Sequence, residues 1–173
     1  APMDRPVSSA RSQFWLGVTL FIPVAVSIAS YGVVWGVLAG QKGMSVLEVL
    51  LMSGLVFAGS SQFVALESWT PGELPVLAII VTTGIVNLRM LLMTATLRPM
   101  TRGLPWWQAA ASVYLVADEN WAMTMAQLGK PHGTLGFLVG SGVCSWLAWT
   151  GSFITSQRTP SEQGGVVRDP LKR

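Results

Sequence analysis

The sequence predicts an all-α membrane protein of about five hydrophobic helical segments, at least one of them broken or re-entrant. Three observations carry this. Apolar residues make up 51% of the chain and charged residues only 11%, where a water-soluble domain carries about a quarter charged. No charge lies between Arg11 and Lys42, nor between Lys130 and Arg158, and each run exceeds the roughly 20 helical residues that cross about 30 Å of hydrocarbon. Finally, Pro23 interrupts the first apolar run, and Gly59 with three polar residues interrupts the second. Residues 1–13 read as a polar N-terminal arm, 14–155 as a transmembrane helical domain, and 156–173 as a polar, disordered tail.

Segment one covers about 14–39. Pro23 removes one backbone hydrogen bond and is expected to kink or break it. Gly32, Gly36 and Gly40 recur every four residues and form a stripe that another helix can approach closely. The segment is too long for a signal-peptide core, and no convincing cleavage site follows it. Segment two covers 44–68, with Glu48 and Glu67 near its ends and Gly59, Ser60, Ser61 and Gln62 at its centre. Two readings stand there: local unwinding that exposes backbone, or Ser and Gln bonding helix to helix. Segment three covers 75–97 and carries Asn87 and Arg89. Segment four covers 105–128 and carries Asp118, Glu119 and Asn120, and segment five covers 133–155. Trp15, Trp69, Trp106 and Trp107 fall near segment ends, where an interfacial aromatic belt places them.

The composition excludes several function classes. Net charge is +3, but the basic residues are scattered through short loops and both tails without a basic stripe, so nucleic acid is not an expected partner. Cys144 is the single cysteine, which forbids an intrachain disulfide, and it reads as a small core residue. His132 has no ligand partners in sequence, so neither metal nor cofactor is expected. No nucleophile–base set points to an enzyme.

Lys and Arg counting sets the orientation. Five alternating crossings favour an N-terminus outside, whereas a first segment that dips at Pro23 and returns favours the opposite. Both put Arg98 and Arg102 in the cytoplasm and the Glu67-to-Glu73 loop outside.

The buried ionisable groups are the most informative residues, because a charge at bilayer depth normally faces a partner or a cavity. Arg89 lies about 13 Å from the nearer end of segment three, too deep to snorkel to the surface. Asp118 and Glu119 lie about 20 Å deep on segment four. One of them can neutralise Arg89; as neighbours about 100° apart, only one is expected to face it. Thr82, Arg89 and Thr96 share one helical stripe, and Asn87 lies on a roughly opposite one with Thr83 and Thr94. Such a pair either fixes helix registry or lines a transport pathway.

The runs Phe57-Ala58-Gly59-Ser60-Ser61-Gln62-Phe63, Val86-Asn87-Leu88-Arg89 and Asp118-Glu119, in this order and hydropathy context, resemble the AzlC family over about 14–150. The resemblance implies a multi-pass permease of the bacterial cytoplasmic (inner) membrane that works with a small AzlD-type membrane subunit. It implies export of leucine, isoleucine, valine or close analogues, driven by protons. Gly59, Ser60, Ser61, Gln62, Asn87 and Arg89 would then form the substrate pathway, with Asp118 or Glu119 carrying the coupling proton. Two departures are visible. Met90 stands where many relatives carry histidine, and relatives continue with further hydrophobic segments where this chain turns polar. The alternative expectation is therefore a non-transporting membrane scaffold, or a truncated, inactive remnant of such a permease.

Overall fold

A computed structural model describes residues 9–69, 75–128 and 134–158. The chain before Ser9, the part of the Glu67-to-Glu73 loop beyond Trp69, Lys130 and His132, and the tail from residue 159 lie outside the described residues. Among the described residues there are eight helices and no strand.

Helix α1 (Ala10–Gln41) starts at Ser9, whose Oγ accepts the Ser12 N–H at 3.3 Å. It passes through Pro23 as one continuous helix, so the break and return that the sequence also allowed do not form there. The reason is its partner. Helix α8 (Leu135–Arg158) packs along α1 on both sides of the proline, so one missing hydrogen bond is outweighed by a long interface. The seam is made of glycines. A Cβ on Gly17 would meet the Phe137 carbonyl oxygen at 2.3 Å, one on Gly140 the Phe14 carbonyl oxygen at 2.1 Å, and one on Gly32 the Ser152 hydroxyl at 2.0 Å. Side chains beyond hydrogen cannot fit where backbones come this close. Contacts pair Ala10 with Gly136, Phe14 with Gly140 and Gly32 with Ser152, so the two helices run parallel.

Segment two is two helices. α2 (Val46–Leu55) opens on a capping box, with Ser45 N–H donating to Glu48 at 2.7 Å and Glu48 N–H to Ser45 at 3.3 Å. It stops before Phe57, and α3 (Gly59–Glu67) begins in a new direction. At the far end of α3, Leu66 is buried with Ala39 and Met44, the corner where α2 started. There Lys42 Nζ donates to the Trp69 carbonyl at 3.5 Å. α3 therefore returns to the end from which α2 entered, and segment two is a re-entrant hairpin.

Segment three is α4 (Val76–Thr96), followed by the short α5 (Arg98–Thr101). α4 packs chiefly on α3, and Leu77, Ile80, Ile85, Leu88, Leu91 and Leu92 stay exposed. Exposed leucine and isoleucine along a whole helix suit a helix solvated by acyl chains. Among the described residues, α1 and α4 are the two helices whose length and hydropathy suffice to cross a membrane.

Segment four repeats the pattern of segment two. α6 (Trp106–Tyr114) ends at Leu115, and α7 (Asp118–Gln127) starts three residues later. Arg89 pairs with Asp118, and one heptad on, Thr96 accepts from Trp121 Nε1 at 2.9 Å. α4 and α7 thus run the same way. Met125 packs with Leu97, Met100 and Leu135, the end at which α6 began, so α6 and α7 form a second re-entrant hairpin.

The architecture is two copies of one unit, a long helix followed by a hairpin that re-enters from the end the helix has reached. α1 with α2–α3 is one copy, α4 with α6–α7 the other in inverted orientation, and α8 closes the set. Five alternating crossings are not what forms. Lys42 consequently sits at the opposite end from Arg98 and Arg102, which removes the charge count that assumed alternation.

Candidate functional site

The two hairpin tips meet between α4 and α8. Each tip is built the same way: an apolar stretch that ends one half-helix, a short non-helical break, then a polar first turn. In the first hairpin the break is Val56-Phe57-Ala58, and in the second it is Leu115-Val116-Ala117. Each break is bridged by an amide side chain from the following half-helix: Gln62 adds a second donor to a carbonyl that already accepts the Val56 N–H, and Asn120 repairs backbone groups left without helical partners. Gln62 Nε2 donates to the Met52 carbonyl at 2.9 Å. Asn120 Nδ2 donates to the Leu115 carbonyl at 2.8 Å, and its Oδ1 accepts the Ala117 N–H at 2.7 Å. Both amide residues are fully buried.

Between the tips, α1 and α8 lies a cavity of about 410 Å³, within the range of about 300–1,000 Å³ of small-molecule sites. Its lining combines the apolar Phe57, Phe63, Trp149 and Met90 with the polar Ser60, Arg89, Asp118 and Glu119. Arg89 sits at the junction. Its Nη1 lies 2.6 Å from Asp118 Oδ2, and its Nη2 donates to Ser60 Oγ. One guanidinium from α4 therefore holds the first turns of both hairpins. The side chains of the pair are 45% and 41% exposed, so they line an open space rather than a packed core.

The electrostatics of the two tips differ. α3 has no acid in its first turn and no side-chain cap on Ala58, so the positive end of its dipole and its first N–H groups face the cavity. α7 starts with Asp118 and Glu119, which answer its own dipole. Asp118 is matched by Arg89, whereas Glu119 has no ion pair or hydrogen bond among the described residues.

The sequence-derived candidates separate into two groups. Gly59, Ser60, Arg89, Asp118 and Glu119 line the cavity. Gly59 is the point of closest approach, since a Cβ there would lie 3.2 Å from the Trp149 ring. Ser61, Gln62 and Asn87 do not line it. Ser61 Oγ donates to the Ala58 carbonyl at 2.8 Å and accepts from Asn87 Nδ2 at 3.3 Å, so these residues tie α3 to α4. Of the two readings open for Gly59–Gln62, the unwinding falls three residues earlier, Gly59–Gln62 is the first turn of a helix, and Ser61 and Gln62 bond to neighbouring helices.

Several residues were not singled out in the sequence. Trp149, Tyr31 and Ser145 line the cavity from segments that read as ordinary apolar helix. Tyr114 joins the hairpins a second time, its hydroxyl donating to the Gly54 carbonyl and accepting from Trp146 Nε1 at 3.2 Å. A second hollow of about 280 Å³ lies on that side. Phe57, Ala58 and Met90 border both spaces.

Residues 23–156 match the family model described as AzlC protein, a stretch that holds both hairpins, α4 and every cavity residue named above. No curated protein and no solved structure matches the chain.

Proposed function

The chain belongs to the AzlC family of membrane transporters, a family associated with branched-chain amino acid transport, and on that premise we propose that it exports leucine, isoleucine, valine or close analogues across the bacterial inner membrane as a multi-pass, proton-coupled permease. It works with a small AzlD-type membrane subunit. The observation that carries the reading is the grip of Arg89 on both hairpin tips beside a cavity of amino-acid size.

Discontinuous helices whose half-helix N-termini point at mid-membrane are how many secondary transporters hold charged substrate groups. Here the uncapped start of α3 and the Arg89 guanidinium favour a carboxylate, and a guanidinium binds one through two parallel hydrogen bonds. In this structure Asp118 occupies that position. An arriving substrate carboxylate competes with Asp118 for Arg89, and Asp118 or Glu119 carries the coupling proton inward on the return step, after the substrate has left on the outside. The branched side chain lies against Phe57, Phe63 and Trp149, with Gly59 leaving room for it. Because Arg89 is shared by both hairpins, exchanging its partner loosens one tip from the other, which supplies the alternation of access.

The test is efflux of radiolabelled leucine and isoleucine from cells expressing the chain with its small partner. Parent chain should export both, and Arg89→Ala and Asp118→Asn should lose at least about tenfold, the value of one charge-assisted interaction. Export by both variants at the parental rate overturns the assignment.

A non-transporting scaffold is the competing reading, favoured by the inter-helix bonds of Ser61, Gln62 and Asn87. It predicts no leucine efflux from the parent chain.

A further inference from the structure

We infer that Glu119 and Ser145 form a distinct subsite for the substrate's ammonium group, so that the cavity selects zwitterionic α-amino acids over their deaminated analogues. The inference rests on the amino-acid transport reading above and divides the two adjacent acids of α7 between two tasks.

Three observations lead there. Arg89 balances Asp118, which leaves Glu119 as an acid facing the cavity without a cation. Glu119 is exposed to that open space, and an acid at membrane depth normally has a partner, which a ligand that brings a positive group supplies. The second observation lies on α8. Ser145 is 1% exposed, lines the same cavity, and its hydroxyl has no hydrogen-bond partner among the described residues. A buried orphan hydroxyl is itself unfavourable by about 1–3 kcal/mol, and an ammonium donor satisfies it.

Third, the helix register brings the two residues together. α7 and α8 run antiparallel, with Gly142 packed so tightly on α7 that a Cβ there would lie 2.9 Å from Asn120 Nδ2. Ser145 is one turn further along α8 and Glu119 one residue back along α7, so both move to the same end of that contact. An ammonium has three N–H donors, which Glu119 and Ser145 can accept, while the carboxylate two bonds away reaches Arg89. A site with cationic and anionic poles on either side of an α-carbon fits a zwitterion, and neither a simple anion nor a simple cation uses both poles.

The experiment uses membrane vesicles from cells co-expressing the chain and its small partner. Counterflow of labelled leucine is measured against two unlabelled competitors, leucine itself and its 2-oxo analogue 4-methyl-2-oxopentanoate, which keeps the carboxylate and side chain and lacks the ammonium. In the parent chain the 2-oxo acid should compete at least about tenfold more weakly than leucine, the scale of one charge-assisted hydrogen bond. Glu119→Gln should bring the two competitors to within about threefold, with Glu119→Asp restoring part of the difference and Ser145→Ala narrowing it part-way. Counterflow in the parent with equal competition by both compounds overturns the inference, as does full discrimination retained in both Glu119→Gln and Ser145→Ala. Absence of leucine counterflow in the parent is a different result, which removes the transport reading and this subsite with it.

Discussion

Arg89 and Asp118 meet at 2.6 Å at the place where two hairpins entering from opposite ends come tip to tip. The same guanidinium bonds Ser60 of the other hairpin, so a single side chain on α4 couples two elements that share no other charged contact among the described residues.

Substituting that side chain should therefore affect folding and transport differently. Arg89→Ala leaves Asp118 without its cation and should lower both detergent-extracted yield and leucine efflux. Arg89→Ala combined with Asp118→Ala removes both charges, and should recover yield while efflux stays at least about tenfold down. Arg89→Lys keeps the charge but has no fork to span both tips, so it should fold normally and export poorly. Fluorescence size-exclusion profiles and efflux rates read the two effects separately.

The hairpin-tip amides predict a second behaviour. Asn120→Ala strips the Leu115 carbonyl and the Ala117 N–H of their buried partners and should cost about 1–3 kcal/mol each way it leaves a group unsatisfied. Asn120→Asp retains the acceptor for Ala117 and should be milder. Thermal melting in a mild detergent ranks the two, and the reverse order would contradict the repair role given to Asn120.

Accessibility separates the candidates that line the cavity from those that do not. With Cys144 replaced by Ser, a cysteine placed at Ser60 should react with small water-soluble thiol reagents, because Ser60 borders the cavity. One placed at Gln62 should not, because Gln62 is 0% exposed beneath the tip. Protection of the Ser60 site by leucine adds a direct check on occupancy. Labelling at Gln62 would mean that the hairpin opens more widely than this conformation shows.

Glycine substitutions give the sharpest contrast in stability. Gly140→Ala drives a methyl into the Phe14 carbonyl, backbone that cannot move aside, and should destabilise the α1–α8 seam by about 1–3 kcal/mol or more. Gly84→Ala on α4 meets nothing within 4 Å and should be neutral to slightly stabilising. Gly59→Ala lies between them for folding, but its methyl points at the Trp149 ring and should slow isoleucine and leucine more than alanine in efflux assays.

Composition and hydropathy were enough to read the helical membrane class, and uncompensated charge at depth was enough to read Arg89, Asp118 and Glu119 as groups of one interior. The stripe argument also separated Asn87 from Arg89, which face α3 through Ser61 and the cavity respectively. Direction was not legible. An apolar run of two dozen residues looks the same whether it crosses or turns back at its middle, because the turning point needs only three non-helical residues, and Val56-Phe57-Ala58 is as apolar as the helix before it. The break allowed at Pro23 does not form for the complementary reason: the local penalty is real, but the glycine seam with α8 holds the helix on both sides of it, and that seam joins residues far apart in sequence. Ser145 and Trp149 carried no polar cluster to mark them, so only packing could place them at the cavity.

The glycine seam has a consequence for biosynthesis. α1 is made long before α8 reaches the translocon, and until then its close-packing groove has only lipid to fill it. Insertion must leave α1 loosely held, or shielded by an assembly factor, while the hairpins and α4 are threaded in. Chains released before α8 is made would carry an open groove and two unbraced hairpins, so α8 marks the point in synthesis before which α1 cannot lock into place.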